Sequence, residues 1–145
     1  MKRLAVLGFV LLSLSSAGAR VASIHVIAPA SVRSGRNFNV QVRGFAGSYD
    51  TISVHAFLGN ACAPSEAEQS DLIGGGQYQS VSPDQPVHFV AHFTARNPGR
   101  HEVCAYLYSS DNSDGAQVHA QHGYHVAKRR CIREPLIGCL PGTGP

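Results

Sequence analysis

The chain has 145 residues, with 12 Lys and Arg against 9 Asp and Glu, and a formal net charge of +3 at pH 7. The positive excess lies at the two ends, because Lys2 and Arg3 open the chain and "KRRCIRE" (residues 128–134) holds four basic residues. Residues 20–127 carry 6 basic and 8 acidic side chains, which argues against a nucleic-acid-binding domain.

The first nineteen residues, "MKRLAVLGFVLLSLSSAGA", have the organisation of a secretory signal peptide. Two basic residues precede a short apolar run, and Ala17-Gly18-Ala19 supplies small residues for cleavage. The run is shorter than the about 20 apolar residues that a transmembrane helix needs. We therefore predict a signal peptide at residues 1–19, no membrane span, and a secreted or periplasmic protein with one domain at residues 20–127.

Residues 20–127 alternate apolar and polar side chains with a period of two, which is typical of strands buried on one face. Segments such as "PASVRSG", "NPG" and "DNSDG" predict turns between them, and no stretch of ten or more residues has helical periodicity. About seven strands are predicted, at residues 23–27, 37–44, 51–58, 77–81, 87–94, 101–108 and 117–126. The pattern predicts an all-β, immunoglobulin-like sandwich of antiparallel strands. One sheet would hold residues 23–27, 37–44 and 87–94, and the other residues 51–58, 101–108 and 117–126.

Two stretches, "IAPASVRSGRNFNVQVRGFA" and "VHFVAHFTARNPGRHEVCAYLY", carry a resemblance to a known type of domain. They resemble bacterial extracellular immunoglobulin-like and fibronectin type III-like domains. In those domains a proline and a glycine precede the second strand, and a Pro-Gly turn precedes the next-to-last strand. The resemblance covers residues 22–127 and implies a module for adhesion, binding or spacing at cell surfaces, although fold alone does not fix function.

Four cysteines in an exported chain favour disulfides over metal thiolates, and three pairings are formally possible. Cys131 and Cys139 lie close together in the basic, Pro- and Gly-rich tail (residues 128–145), so we expect them to bond to each other. This leaves Cys62 to bond to Cys104. Because Cys104 alternates with the apolar residues of its strand, it should face away from the core. The segment after Cys62 should then fold back over the outside of that sheet.

The same alternation places aromatic and imidazole side chains together on the outer face of the sheet that contains Cys104. The register that turns both apolar sets inward pairs His119 with Tyr106, Gln121 with Cys104 and His125 with Arg100. If this face is exposed, it is a candidate recognition surface, because aromatic rings provide contact area at low entropic cost. The alternatives are that these residues are simply good strand formers, or that the Cys62 segment covers them. The candidate binding residues are His55, Phe57, Tyr106, Tyr108 and His119.

Eight histidines keep a copper or zinc site under consideration. His88 and His92 share a face but would stand about 13 Å apart, too far for two ligands of one zinc ion. A bulge at Gly123 would let the last strand curl and bring two of its histidines together. The candidate metal ligands are His101, His122 and His125.

Sequence motifs of catalysis are absent, including G-x-S-x-G, H-E-x-x-H and the P-loop. We therefore expect an exported, non-enzymatic binding or structural module without a cofactor. It would recognise an unknown protein or extracellular polymer through the exposed sheet face. The alternatives are a periplasmic copper- or zinc-binding protein that uses histidines of the last strand and, less favoured, an enzyme whose site lies in the loops.

Overall fold

The structure is a computed structural model that describes residues 20–129. These residues form eight strands and one helix. The strands are β1 (Ser23–Ile27), β2 (Ser31–Arg33), β3 (Asn37–Phe45), β4 (Thr51–Leu58), β5 (Gln77–Ser80), β6 (Pro86–Thr94), β7 (Gly99–Tyr108) and β8 (Val118–Ala127), and helix α1 (Glu66–Ile73) lies between β4 and β5. The predicted signal peptide and the predicted tail with its Cys131–Cys139 bond lie outside the described residues. Within residues 20–129, no helix has the length and apolar character needed to cross a membrane.

The strands form two sheets. One has three strands in the order β1-β3-β6, and the other has five in the order β2-β8-β7-β4-β5. The predicted all-β sandwich is confirmed, and the six strands that were assigned to a sheet each lie in the expected one, while β5 joins the five-stranded sheet. Strand β2 is an addition: it lies inside "PASVRSG", whose proline and glycine predict only a turn, and it pairs in parallel with the end of β8.

The core lies between the sheets and follows from the alternation. On β6, Val87, Phe89 and Ala91 are buried while His88 and His92 are exposed. Burial of one Val, Leu, Ile or Phe side chain contributes about 1.5–3 kcal/mol, so the two inner faces supply most of the energy that holds the sheets together. Completely buried core residues include Val40, Val42, Ile52, Val54, Val103, Leu107 and Val126.

Residues 59–76, which connect β4 to β5, form what we call the cover segment. The disulfide between Cys62 and Cys104, with Cα atoms 5.7 Å apart, fastens this segment to the outer side of β7. This is the bond and the placement that the sequence predicts.

Helix α1 in the cover segment was not expected from periodicity. Ser65 caps it by accepting a hydrogen bond from the Glu68 N–H, and Gly74 ends it with φ 61°. An isolated helix of eight residues is too short to be stable in water, so contacts with the sheet hold it. The Ser65-x-x-Glu68 spacing of a helix N-terminus is the sequence signal that indicates it.

Candidate functional site

The predicted recognition face is covered, not exposed. His55 and Tyr106 have 0% of their surface exposed and Tyr108 has 5%, so the prediction of an exposed face is wrong for these three residues. The predicted register is correct, since Tyr106 pairs with His119, Cys104 with Gln121 and Arg100 with His125. The difference from the prediction is that the cover segment packs on this face. Of the five candidate binding residues, Phe57 is half-buried and only His119 is exposed.

Tyr106 joins the sheet to the cover segment through its hydroxyl group. The oxygen lies 2.8 Å from the carbonyl of Ala63 and 3.1 Å from Oε1 of Gln69. The same Gln69 oxygen accepts the Ala63 N–H at 2.9 Å. Burial raises the pKa of Tyr106 to about 12, so the hydroxyl remains a neutral donor across the physiological range. This cluster is a structural fastening of the cover.

His55 is the second polar group beneath the cover segment. Its Nδ1 lies 3.1 Å from the Gly75 carbonyl and therefore carries the proton, while Nε2 lies 3.4 Å from Oε1 of Glu66 without hydrogen-bond geometry. Glu66 is itself 5% exposed and accepts a hydrogen bond from Ser70. Burial lowers the pKa of His55, although the Gly75 carbonyl and the Glu66 carboxylate act in the opposite direction.

The predicted metal ligands do not come together. Strand β8 pairs with β7 residue by residue through Gly123, so the bulge required to bring His122 and His125 together is absent and the two histidines lie on opposite faces. His101 is already engaged: Nε2 donates to the Asn97 carbonyl at 2.6 Å, and Nδ1 lies 3.4 Å from the Tyr124 hydroxyl. Nowhere in residues 20–129 do three His, Cys, Asp or Glu side chains cluster as metal ligands.

The sandwich has an opening beside residues 56–58 of β4, because β5 begins opposite Val54 and does not extend along them. Strand β5 pairs only with Thr51–Val54, so residues 56–58 of β4 have a strand partner on the β7 side alone. On the opposite wall, β6 is the edge strand of the three-stranded sheet. Between these two free edges lies a cleft of about 460 Å³, which we call the edge cleft.

Apolar side chains lie among the residues that line the edge cleft. Leu58 is 56% exposed although it has the inward parity of β4, because β5 pairs with β4 only as far as Val54 and does not reach it. Phe93 and Tyr124 also line the cleft, and both rings pack on Phe38, at centroid distances of 5.9 and 5.0 Å. Side chains held in this way lose little entropy when a ligand contacts them.

A side-chain amide closes one end of the edge cleft. Oε1 of Gln77 accepts the His92 N–H at 3.0 Å, and Nε2 of Gln77 donates to the His92 carbonyl. The Gln77 amide therefore pairs with the edge of β6 as the peptide group of an added strand would. This contact protects an open edge against unwanted pairing, and it shows that the edge geometry accepts an amide partner.

The rim of the edge cleft is polar and basic. His92, Arg96 and Asn97 lie on it. In the part of the chain that the structure describes, the only carboxylate within 4.0 Å of a basic group is that of Glu66, beside His55. The Arg96 guanidinium consequently has no carboxylate partner among residues 20–129.

Solved structures similar to this chain are β-sandwich domains. A CARDB domain from Pyrococcus furiosus, solved in complex with di-metal ions, aligns with a TM-score of 0.51 and 10% identity over 75% of this chain and 94% of that one. A PKD domain of a peptidase from a Thermoplasmatales archaeon aligns with a TM-score of 0.47 and 13% identity over 71% of this chain and 91% of that one. No family model and no curated protein matches the chain. The likeness shows an immunoglobulin-like β-sandwich fold.

The edge cleft was not predicted from the sequence, although one signal points to it. The weak strand pattern at residues 77–81 has five residues, against eight for that at residues 51–58. A short edge strand beside a long one leaves the end of the long strand without a partner. Leu58 is the last residue of the longer pattern and therefore lies beyond the reach of the shorter strand.

Proposed function

We propose that this protein is an exported, non-enzymatic binding module that takes an extended peptide segment of a protein partner into the edge cleft. The observation that carries the proposal is Leu58, a residue of inward parity that is 56% exposed beside the aromatic rings of Phe93 and Tyr124. Contiguous exposed apolar patches that are rimmed by polar residues mark interaction sites.

The backbone of the partner would add to a free strand edge. Residues 56–58 have no strand partner on the cleft side, and β6 already pairs with one amide at His92. In strand addition, main-chain hydrogen bonds supply affinity, and pockets for alternate side chains supply specificity. A peptide that continues the line of β5 beside β4 would turn every second side chain toward Leu58 and Phe93.

The lining defines the partner's side chains. Leu58, Phe93 and Tyr124 favour an aliphatic or aromatic residue, whose burial contributes about 1.5–3 kcal/mol. Arg96 and His92 on the rim favour a nearby Asp or Glu, because a guanidinium can bind a carboxylate through two parallel hydrogen bonds. The proposed ligand is thus an extended segment with an apolar residue next to an acidic one.

Export is part of the proposal and rests on two observations. Residues 1–19 have the pattern of a signal peptide, and Cys62 and Cys104 form a disulfide. Disulfides persist mainly in oxidising compartments outside the cytoplasm. The non-enzymatic assignment is supported by the kind of domain that the solved structures represent.

Peptide display on the purified protein tests the proposal. We expect selected peptides to combine an apolar residue with an adjacent Asp or Glu. Leu58→Glu should weaken the best peptide about 10-fold or more in fluorescence anisotropy, because it places a charge at the centre of the contact. Leu72→Glu is the matched control, since Leu72 is 74% exposed on α1, outside the cleft. Equal binding by Leu58→Glu and wild type would refute the edge cleft as the site.

A further inference from the structure

A second depression lies beside the edge cleft and does not depend on the function proposed above. It has a volume of about 360 Å³ and is lined by Arg33, Ser34, Gly35, Arg36 and Arg129. We call it the arginine pocket. The Ser34 hydroxyl donates to the backbone carbonyl of Arg96, so the segment that carries Arg96 separates the pocket from the edge cleft.

The backbone around the arginine pocket is cross-linked by hydrogen bonds. The Ser34 N–H donates to the Ala127 carbonyl at 2.9 Å, and the Gly35 N–H donates to the Ala95 carbonyl at 2.6 Å. The Ala95 N–H returns a bond to the Arg36 carbonyl at 2.9 Å. The segments after β2 and β6 and the end of β8 are thereby tied together. The arginines project from a fixed frame.

Gly35 makes room for one guanidinium group. Its φ of +81° lies in the left-handed region that favours glycine, and a Cβ there would stand 3.2 Å from a terminal nitrogen of Arg129. The guanidinium of Arg129 therefore lies against bare backbone at the pocket. A Cβ at this position would require the guanidinium to shift by a few tenths of an ångström.

The charges of the arginine pocket are not balanced by nearby acids. Within residues 20–129, no carboxylate lies within 4.0 Å of Arg33, Arg36 or Arg129. Acidic residues lie instead in the loops at the opposite end of β3 and β6. There the Asp50 carboxylate accepts the Ser110 N–H, and the Asp84 N–H donates to the Gly47 carbonyl. Three permanently charged guanidinium groups around one small volume repel each other, and an anion between them removes that repulsion.

We propose that the arginine pocket is a binding site for a doubly charged tetrahedral oxyanion, a phosphate or sulfate group. Each guanidinium presents a planar fork of N–H donors that matches two oxygens of such a group. Three forks can contact three oxygens and leave the fourth for an ester bond. The pocket is large enough for a group of this size together with part of the molecule that carries it.

Calorimetric titration of the purified chain, with its C-terminal residues intact, tests the site with sodium sulfate and inorganic phosphate. Removing one of three charged donors should weaken binding about 10-fold, so Arg36→Gln and Arg129→Gln should each do so. Arg43→Gln is the matched control: it makes the same charge change at an exposed position on β3, outside the pocket. All three are exposed surface changes, so the melting temperature should stay near that of wild type.

Three results would contradict the proposal that the arginine pocket binds an anion. One is an equal loss of affinity in Arg43→Gln, which would indicate a response to overall charge alone. Another is unchanged binding in both pocket variants, which would move the anion elsewhere on the chain. The absence of sulfate and phosphate binding up to about 10 mM would also exclude a site of useful affinity.

The pH dependence of sulfate affinity shows whether arginine or histidine side chains bind the anion. Sulfate and guanidinium groups both keep their charge between pH 5.5 and 8, so sulfate affinity should remain constant over that range. Affinity that falls as pH rises would assign the anion to imidazole groups and overturn the proposal. At pH 8, comparing inorganic phosphate with a phosphate monoester, glucose 6-phosphate, both of which are mainly doubly charged there, distinguishes the sources: tighter ester binding assigns an ester ligand, and equal or weaker ester binding assigns the free anion.

Discussion

The outer faces of the two sheets have the same period-two pattern and opposite environments. On β6 of the three-stranded sheet, the outward residues His88 and His92 are exposed. On β7 of the five-stranded sheet, the outward residues Cys104, Tyr106 and Tyr108 are as buried as the core residues between them. The cover segment makes this difference. Alternation therefore shows which side chains face the core, but it does not show whether the others face water.

Residue type at the outward positions separates the two faces better than the pattern does. The three strands of the uncovered sheet contain no Asp or Glu, and β3 turns Asn37, Asn39, Gln41 and Arg43 outward. These side chains are well solvated in water. The outward positions of β7 instead hold Glu102, Cys104, Tyr106 and Tyr108, all of them buried. The two tyrosines are apolar over most of their surface and carry one polar atom for a partner in the cover.

The largest effect should come from releasing the cover segment. The double substitution Cys62→Ser and Cys104→Ser opens a loop with a sequence separation of 42, and loop entropy predicts a loss of roughly 3–4 kcal/mol in the free energy of unfolding. Urea titration measures this loss. Amide exchange should quicken in α1 first, while β3 and β6 remain protected. A loss below about 1 kcal/mol would show that packing, not the disulfide, holds the cover.

A smaller effect should follow from removing one hydroxyl beneath the cover. Tyr106→Phe leaves the Ala63 carbonyl and the Gln69 side chain with one donor fewer, which should cost about 1–3 kcal/mol. Tyr78→Phe is the control, because Tyr78 is 49% exposed and water can replace its contact with Ser70. The control should change stability by less than about 0.5 kcal/mol. Equal effects in urea titration would mean that the Tyr106 hydroxyl contributes no special fastening.

The sandwich could be predicted from the sequence because each long strand shows its own period-two alternation of apolar and polar residues. Val103, Ala105 and Leu107 must face one way, and this parity, together with the turn at "DNSDG", predicts the register of β7 with β8. The disulfide that fastens the cover segment to β7 was predictable as well, since Cys104 must face outward and Cys62 follows the neighbouring strand.

The depth of the cover could not be predicted in the same way. It depends on contacts between residues far apart in the chain, such as Gln69 with Tyr106, and no local pattern reports such contacts. Helix α1 has eight residues, fewer than the ten that periodicity can recognise here. The edge cleft likewise follows from the length of β5 relative to β4, a property that appears only when the two strands are paired.

The smallest expected effect is a difference in pH dependence between a histidine beneath the cover and one on the open face. Burial keeps the pKa of His55 in the folded chain below its ordinary value of 6.5. Glu66 from α1 and the rings of Tyr78 and Tyr106 face it. The unfolded chain therefore binds the proton more readily, and the free energy of unfolding should decrease as pH falls below about 6.5.

One such group contributes at most about 1.4 kcal/mol for each pH unit. Thermal melts between pH 7.5 and 5.5 should show a fall in melting temperature that is smaller in His55→Gln than in wild type. His88→Gln, on the exposed face of β6, should retain the whole fall. If His55→Gln destabilises the chain too much to compare, Glu66→Gln provides a second route. It removes the carboxylate that opposes the lowered pKa, so the fall should become larger. An identical pH profile in all variants would mean that His55 has the same pKa in the folded and unfolded chain and does not report on the cover.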